Sequence, residues 1–185
     1  MDQVLSLQKK ENGRYINLPE SLRVIRQYGG VCLKNNSASD RENAASTEKK
    51  VSAGLREMSM ELPVPGILES PFGVFESKIF SYKKQKIEEK KYTKWFDYDK
   101  IKDSPCVRTR RQGDYLTVNS EGGKKKLNRI FIDEKIPAEM RDRIPVVAAG
   151  SEILWIPGGR MNEKYKITST TGRVLELHYQ GGALA

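Results

Sequence analysis

Residues 146–159 read VVAAGSEILWIPGG. Two short apolar runs, at 146–148 and 153–156, lie on either side of Gly150. Short runs rich in β-branched and aromatic residues, bounded by glycine and proline, are typical of buried strands. The stretch therefore predicts two buried strands joined by a turn at Gly150, with a stop at Pro157-Gly158-Gly159.

The residues just before this stretch have a helical pattern. From Lys124 onward, Leu127, Ile130 and Phe131 recur at intervals of three and four residues, which places them on one face of a helix. A second short helix is expected after Pro137, because proline is favoured in a first helical turn, and it should stop before Pro145.

Two further hairpins are predicted around this core. Residues 107–110 and 115–118 lie on either side of a turn at 111–114, and residues 165–168 are expected to pair with 174–179 around Gly172. The expected fold class is therefore α+β, with a small C-terminal α+β domain over 105–181. It would contain a strand hairpin, two short helices and two hairpins.

Residues 1–104 are expected to form a β-rich region that precedes this domain. Short strand-like runs lie on either side of Gly29-Gly30, and large apolar and polar residues alternate over 72–80. Residues 35–50 contain no large apolar side chain, so burial cannot offset the entropy of ordering them. We interpret 35–50 as a flexible loop, and Pro105 as the domain boundary.

The chain has 185 residues and a formal net charge of +9. A large part of this excess is local, because residues 108–129 contain seven basic and only two acidic side chains. Such an excess favours a polyanionic partner. No apolar run is long enough to span a membrane and no signal peptide is recognisable, so we expect a soluble, cytoplasmic protein. Cys32 and Cys106 are expected to be reduced thiols.

Catalytic and metal chemistry find little support in the sequence. His178 is the only histidine and lies in an alternating strand pattern, which favours a surface or structural role. Gly122-Gly123-Lys124 does not match a P-loop, since no Ser or Thr follows the lysine. No Ser-Gly-Gly-x-Asp-Ser segment is present to hold a pyrophosphate. We therefore predict no catalytic residue, no metal site and no ATP site in this chain.

Polyanion binding is better supported. Gly122-Gly123 allows a close backbone approach, and Lys124, Lys125 and Lys126 would fall on the first turn of the expected helix. Phosphate binding is favoured at such an end, where free N–H groups and partial positive charge are presented. A solubilising patch is the alternative, and the residues alone do not decide between the two.

Several segments together resemble a known family. VRTRRQGD at 107–114, G-x-KKL at 123–127, FIDEKIP at 131–137, RDRIP at 141–145 and ILWIPGGR at 153–160 occur in the order found in the C-terminal domain of bacterial tRNA(Ile)-lysidine synthetase. A weaker resemblance to the region that precedes this domain is carried by NLP at 17–19, VPG at 64–66 and WFDYDK at 95–100.

The resemblance implies a function. The family uses ATP to adenylate the wobble cytidine of tRNA(Ile) and then joins lysine to it, with ATP and Mg²⁺ held by a catalytic PP-loop domain. The sequence contains no such domain, so it resembles a C-terminal fragment that binds and orients tRNA, at the acceptor stem or tRNA body, but is inactive as a ligase alone. The expected contacts to the tRNA backbone are Arg108, Arg110, Arg111, Lys124, Lys125, Lys126, Arg129 and Arg160.

Two alternatives stay open from the sequence. The family's C-terminal fold is also found in the β-subunit of phenylalanyl-tRNA synthetase, so a protein-interaction or structural domain without nucleic-acid binding is possible. A stand-alone enzyme would have to consume ATP. Arg141 and Arg143 are expected to form surface ion pairs with Glu139 and Asp142. The sequence leaves the oligomeric state undetermined.

Overall fold

The computed structural model describes residues 14–20, 22–27, 30–35, 58–85, 87 and 90–181. In these ranges the chain forms thirteen β-strands and one α-helix, α1, at Leu127–Asp133. The strands are β1 Tyr15–Asn17, β2 Leu22–Gln27, β3 Gly30–Asn35, β4 Ser59–Glu61, β5 Gly66–Ser70, β6 Gly73–Ser81, β7 Thr93–Asp97, β8 Cys106–Arg108, β9 Tyr115–Thr117, β10 Lys124–Lys126, β11 Val146–Ala149, β12 Glu152–Trp155 and β13 Arg173–Gly181.

The largest sheet contains six strands in the order β10-β9-β12-β11-β8-β4. Neighbouring strands are antiparallel, except β9 and β12, which are parallel. β11 and β12 lie at its centre and are joined by a turn in which Gly150 has a φ of +61°. All four residues of β11 are buried. The two buried strands and the turn predicted from residues 146–156 are thus confirmed.

Both faces of β11 are covered, and its side chains alternate between two apolar cores. Val146 and Ala148 pack with the apolar face of α1, which is formed by Leu127, Ile130 and Phe131. Val147 and Ala149 point to the other side and join a larger core. The helix periodicity predicted for these three residues of α1 is confirmed.

The larger core lies between two sheets. A four-stranded antiparallel sheet has the order β5-β6-β13-β7. Its buried side chains, including Phe75, Phe96, Leu175 and Leu177, form one cluster with Trp155 of the six-stranded sheet. The layers are therefore α1, the six-stranded sheet and the four-stranded sheet, an architecture that is mainly β with one helix among the described residues.

Strands from both sides of Pro105 share these sheets. β4 precedes Pro105 and pairs with β8, whereas β13 follows it and pairs with β6 and β7. The position predicted as a domain boundary therefore does not separate two hydrogen-bonded sheets.

A third sheet has the order β1-β2-β3, in which β2 and β3 are antiparallel neighbours. Apart from Asn35 at the end of β3, the loop predicted over 35–50 lies outside the described residues.

The prediction that Lys124, Lys125 and Lys126 lie on the first turn of a helix is wrong. These residues form β10, which pairs in antiparallel register with β9. The hairpin turn is closed by Asn119, whose side chain accepts a hydrogen bond from the backbone N–H of Gly123 at 2.6 Å. The helix begins only at Leu127. Pairing with β9 satisfies the lysine backbone groups, and lysine has too weak a local preference to oppose it.

Three other predicted elements differ from the structure. Residues 138–143 form consecutive turns instead of a second helix, with hydrogen bonds such as Met140 N–H to the Pro137 carbonyl. β8 and β9 do not form a hairpin, because β11 and β12 lie between them in the sheet. Residues 165–168 do not pair with β13, whose partners are β6 and β7. For the two hairpins, pairing with distant apolar strands provides more burial than pairing with the local neighbour does.

Replacing Gly158 with alanine is expected to destabilise the protein more than replacing Gly113. Both have positive φ, +76° and +93° respectively. A Cβ at 158 would lie 2.9 Å from Cε1 of Tyr92, whereas at 113 it would meet nothing within 4 Å. We expect Gly113→Ala to cost about 1 kcal/mol and Gly158→Ala about 2–3 kcal/mol, measured by urea unfolding. Equal losses would show that the Tyr92 ring moves aside freely.

Candidate nucleic-acid interface

Arg108, predicted as a surface contact, is buried. Its side chain is 1% exposed, and so is that of Asp114. The two terminal guanidinium nitrogens donate to the two carboxylate oxygens of Asp114 at 2.8 and 2.9 Å. They also donate to the carbonyl oxygens of Thr109 and Gly150. A guanidinium enclosed in this way does not reach a phosphate on the surface, so we drop Arg108 from the expected contacts.

Asp114 connects several parts of the interface. Its Oδ2 accepts a hydrogen bond from the backbone N–H of Arg111 at 2.7 Å, in addition to the bond from Arg108. Its backbone carbonyl accepts from the N–H of Leu127, the first residue of α1, at 2.9 Å. The buried pair Arg108–Asp114 therefore holds the loop at 109–114 against the beginning of the helix.

This loop and the helix form a polar cleft of about 430 Å³. We call it the arginine cleft. Arg111 and Lys126 in it are exposed, and neither has an ion-pair partner among the residues described above. Its charged and amide side chains at the surface are Arg110, Arg111, Gln112, Lys126, Asn128 and Asp142.

Arg110 is held in the arginine cleft by two neighbours. Its Nε donates to Oδ1 of Asp142 at 2.8 Å, and a terminal nitrogen donates to Oδ1 of Asn128 at 3.4 Å. The side chain is 30% exposed, so a ligand can still reach it. The cleft thus brings together three of the predicted contacts: Arg110, Arg111 and Lys126.

Three more predicted contacts surround Asp133 at the end of α1. Lys125 and Arg129 both form ion pairs with Asp133, and Arg160 pairs with the adjacent Glu134. A hydrogen bond from Lys125 and the charge of Arg129 hold the pKa of the Asp133 carboxyl below its usual value. We call these five residues the Asp133 cluster. Three cations face two carboxylates, which leaves a positive balance at this surface.

Lys124 lies apart from both groups. Side chains alternate along a strand, so Lys124 and Lys126 share one face of β10 and Lys125 takes the other. The Lys124 ammonium lies 4.7 Å from the centre of the Tyr115 ring. It lines a second cleft of about 470 Å³ together with Lys100 and Lys164. The sequence did not associate Lys100 and Lys164 with the interface, because both lie outside the basic segment over 108–129.

The sequence reasoning also missed Asp114, Gln112 and Asn128. Asp114 carried one local signal, because it ends the predicted turn and aspartate side chains often hydrogen-bond backbone groups a few residues away. Gln112 and Asn128 carried none. Exposed amides are common, and only the fold places these two in the cleft with the cations.

The remaining candidates have structural partners. Arg141 donates from Nε to the Ile136 carbonyl at 2.9 Å, and the carboxylate of Asp142 is engaged by Arg110. His178 is exposed, with Nδ1 2.8 Å from Oγ1 of Thr93. Cys106 is a free thiol.

No group of three or more His, Cys, Asp or Glu side chains is placed to hold a metal ion in the part of the chain that the structure describes. No helix within it has the length and apolar character needed to cross a membrane.

Residues 106–177 match the family model described as TilS substrate C-terminal domain. A tRNA(Ile)-lysidine synthase from Caldanaerobacter subterraneus subsp. tengcongensis is 34% identical over 181 residues, which are 97% of this chain and 36% of that protein. The corresponding protein of Clostridium tetani is 32% identical over 181 residues, covering 98% of this chain and 37% of that protein.

A solved structure described as a crystal structure of TILS C-terminal domain superimposes with a TM-score of 0.58 and 33% sequence identity. The match covers 67% of this chain and 96% of that one. The chain spans little more than a third of the length of the two full-length relatives that it resembles.

Proposed function

The chain belongs to the tRNA(Ile)-lysidine synthase family, and from this premise we propose that it binds and orients tRNA(Ile) for the ligase reaction. The observation that carries this proposal is the arginine cleft, where Arg111 and Lys126 are exposed and have no ion-pair partner in the described part of the chain. Such cations can contact phosphates without first breaking an ion pair.

The proposed contacts fall into three groups. Arg110, Arg111 and Lys126 would contact the RNA backbone in the arginine cleft, near the start of α1, and Lys125, Arg129 and Arg160 of the Asp133 cluster would add contacts near its end. Lys124, whose ammonium lies over the Tyr115 ring of β9, would add a further contact. Phosphate contacts of this kind set the register and orientation of an RNA, and they do not read its sequence.

The part of tRNA that we propose for this surface is the acceptor stem or tRNA body. An A-form helix presents two rows of phosphates to a rigid surface, and gripping it would position a distant wobble base for modification. We further propose that ATP and Mg²⁺ are used by other parts of the ligase and that this chain contributes tRNA binding only, in the cytoplasm. The absence of a Ser-Gly-Gly-x-Asp-Ser segment from the sequence is consistent with this division.

Binding of a tRNA(Ile) transcript should weaken steeply with salt, and Arg111→Ala/Lys126→Ala should flatten this dependence. Each phosphate contact that is lost removes about 0.9 from the slope of log K against log salt concentration, so we expect the slope to decrease by about 1.8. The measurement is fluorescence anisotropy of labelled tRNA at several salt concentrations.

The matched control is Lys83→Ala/Lys102→Ala, which removes two exposed lysines outside the arginine cleft and the Asp133 cluster. This variant should retain the wild-type slope. A cleft variant with an unchanged slope would refute the assignment of the contacts, and a wild-type chain that does not retain tRNA would refute the proposed function itself.

A further inference from the structure

Two neutral amide side chains line the arginine cleft beside its cations. Gln112 and Asn128 are both exposed. The Oδ1 of Asn128 accepts the hydrogen bond from Arg110, which leaves both hydrogens of its amide nitrogen for a ligand. Gln112 has no side-chain partner among the described residues and therefore offers both a donor and an acceptor.

The surroundings of Asn128 limit its freedom. Arg110 is held by Asp142 at 2.8 Å, and Asn128 is the second residue of α1, whose first residue is bonded to Asp114. A donor whose position is set by such a framework loses less conformational entropy when it binds a ligand.

The chemistry of the amides differs from that of the cations. Arg111 and Lys126 can neutralise phosphates, but an uncharged amide contributes little to charge neutralisation. Amides match groups that donate and accept hydrogen bonds at fixed positions, and the 2′-hydroxyl of RNA is such a group. In an A-form duplex, 2′-hydroxyls lie along the shallow minor groove between two rows of phosphates.

From this arrangement we infer that Gln112 and Asn128 bind 2′-hydroxyl groups of a double-stranded RNA while Arg111 and Lys126 contact the phosphates beside them. This inference rests on the proposed function, and it assigns the chain's selectivity for RNA to Gln112 and Asn128. The cations supply the salt-dependent part of the affinity, and the amides distinguish RNA from an otherwise equal duplex that lacks the hydroxyl.

The test uses the full 185-residue chain and two hairpins of identical sequence, one of RNA and one with 2′-fluoro substitution throughout the stem. Fluorine preserves the A-form geometry, removes the hydroxyl donor and replaces the oxygen acceptor with an atom that accepts hydrogen bonds only very weakly, so it tests both Gln112 and Asn128. We expect the wild-type chain to bind the RNA hairpin about tenfold more tightly, the effect of one or two neutral hydrogen bonds. In Gln112→Ala/Asn128→Ala this preference should disappear while the salt slope stays near its wild-type value, and any loss of affinity for the 2′-fluoro hairpin that follows from the lost Arg110–Asn128 bond should be smaller than the loss for the RNA hairpin.

Gln180→Ala serves as the matched control, because Gln180 is an exposed glutamine on β13, outside the arginine cleft. It should retain the RNA preference, and thermal unfolding should show that all variants are folded. Equal wild-type affinities for the two hairpins, or a double variant that weakens both equally, would overturn the inference while leaving tRNA binding intact. Failure of the wild-type chain to bind either hairpin or tRNA would instead count against the proposed function.

Discussion

Replacing Asp114 with alanine is expected to lower the free energy of unfolding by about 3–5 kcal/mol, because it leaves the buried guanidinium of Arg108 without its carboxylate. Asp114 and Arg108 are each 1% exposed in their side chains, and the pair is joined by two hydrogen bonds of 2.8 and 2.9 Å. The guanidinium is shielded from bulk water at this site, so losing its partner leaves a buried charge that is costly to keep. Urea unfolding followed by circular dichroism measures the difference.

The appropriate comparison is Glu134→Ala, which removes the carboxylate of another arginine ion pair. Glu134 and Arg160 are 31% and 58% exposed, so this pair is screened by water, and its loss should cost less than about 1 kcal/mol. If Asp114→Ala cost no more than Glu134→Ala, the Arg108–Asp114 pair would not be the support of the 109–114 loop that its contacts indicate.

Replacing Trp155 with alanine is expected to cost about 3–5 kcal/mol, the usual range for a large aromatic side chain in a core. Trp155 has no exposed surface and packs between the two large sheets. Its indole N–H has no hydrogen-bond partner among the described residues. Trp155→Phe should therefore cost less than about 2 kcal/mol, because the smaller ring also removes an unsatisfied buried donor.

Equilibrium unfolding in urea distinguishes the two variants at Trp155. Trp95 is the matched site, because its indole nitrogen donates to the carboxylate of Glu176, so Trp95→Phe removes a satisfied donor. A Trp155→Phe variant as unstable as Trp155→Ala would show that the size of the indole ring determines stability at this position. In that case the unsatisfied N–H would contribute nothing measurable.

The position of the proposed interface depends on Trp155 and Asp114. Trp155 lies in β12, and β12 pairs with β9, which in turn carries β10 and its three lysines at the edge of the sheet. Asp114 immediately precedes β9 and links the loop at 109–114 to α1. We therefore expect the loss of either side chain to disturb the elements that position the arginine cleft.

Local sequence was sufficient to predict the two central strands and the helix. The apolar runs at 146–148 and 153–156 could be read as buried strands, because their side chains find favourable surroundings in almost any core. The spacing of Leu127, Ile130 and Phe131 indicated a helix face for the same reason. The ordered segments between 107 and 160 resemble the family in which the comparisons place the chain.

Other features depended on residues far apart in the chain. A strand forms at Lys124–Lys126 because β9 provides its backbone hydrogen-bond partners. The three lysines alone do not predict that pairing. The partner of Arg110 is 32 residues away at Asp142, and that of Arg160 is 26 residues away at Glu134. Which cations are paired therefore could not be derived from spacing.

The sequence by itself determined that this protein has a buried central hairpin, an apolar helix face and a basic segment over 108–129, because apolar periodicity and charge are local properties of a chain. Only the tertiary structure decided that Arg108 is buried with Asp114 while Arg111 and Lys126 remain exposed in one cleft. The physical reason is that burial depends on which distant strands cover a side chain. Two arginines three residues apart, Arg108 and Arg111, can therefore be buried and exposed respectively.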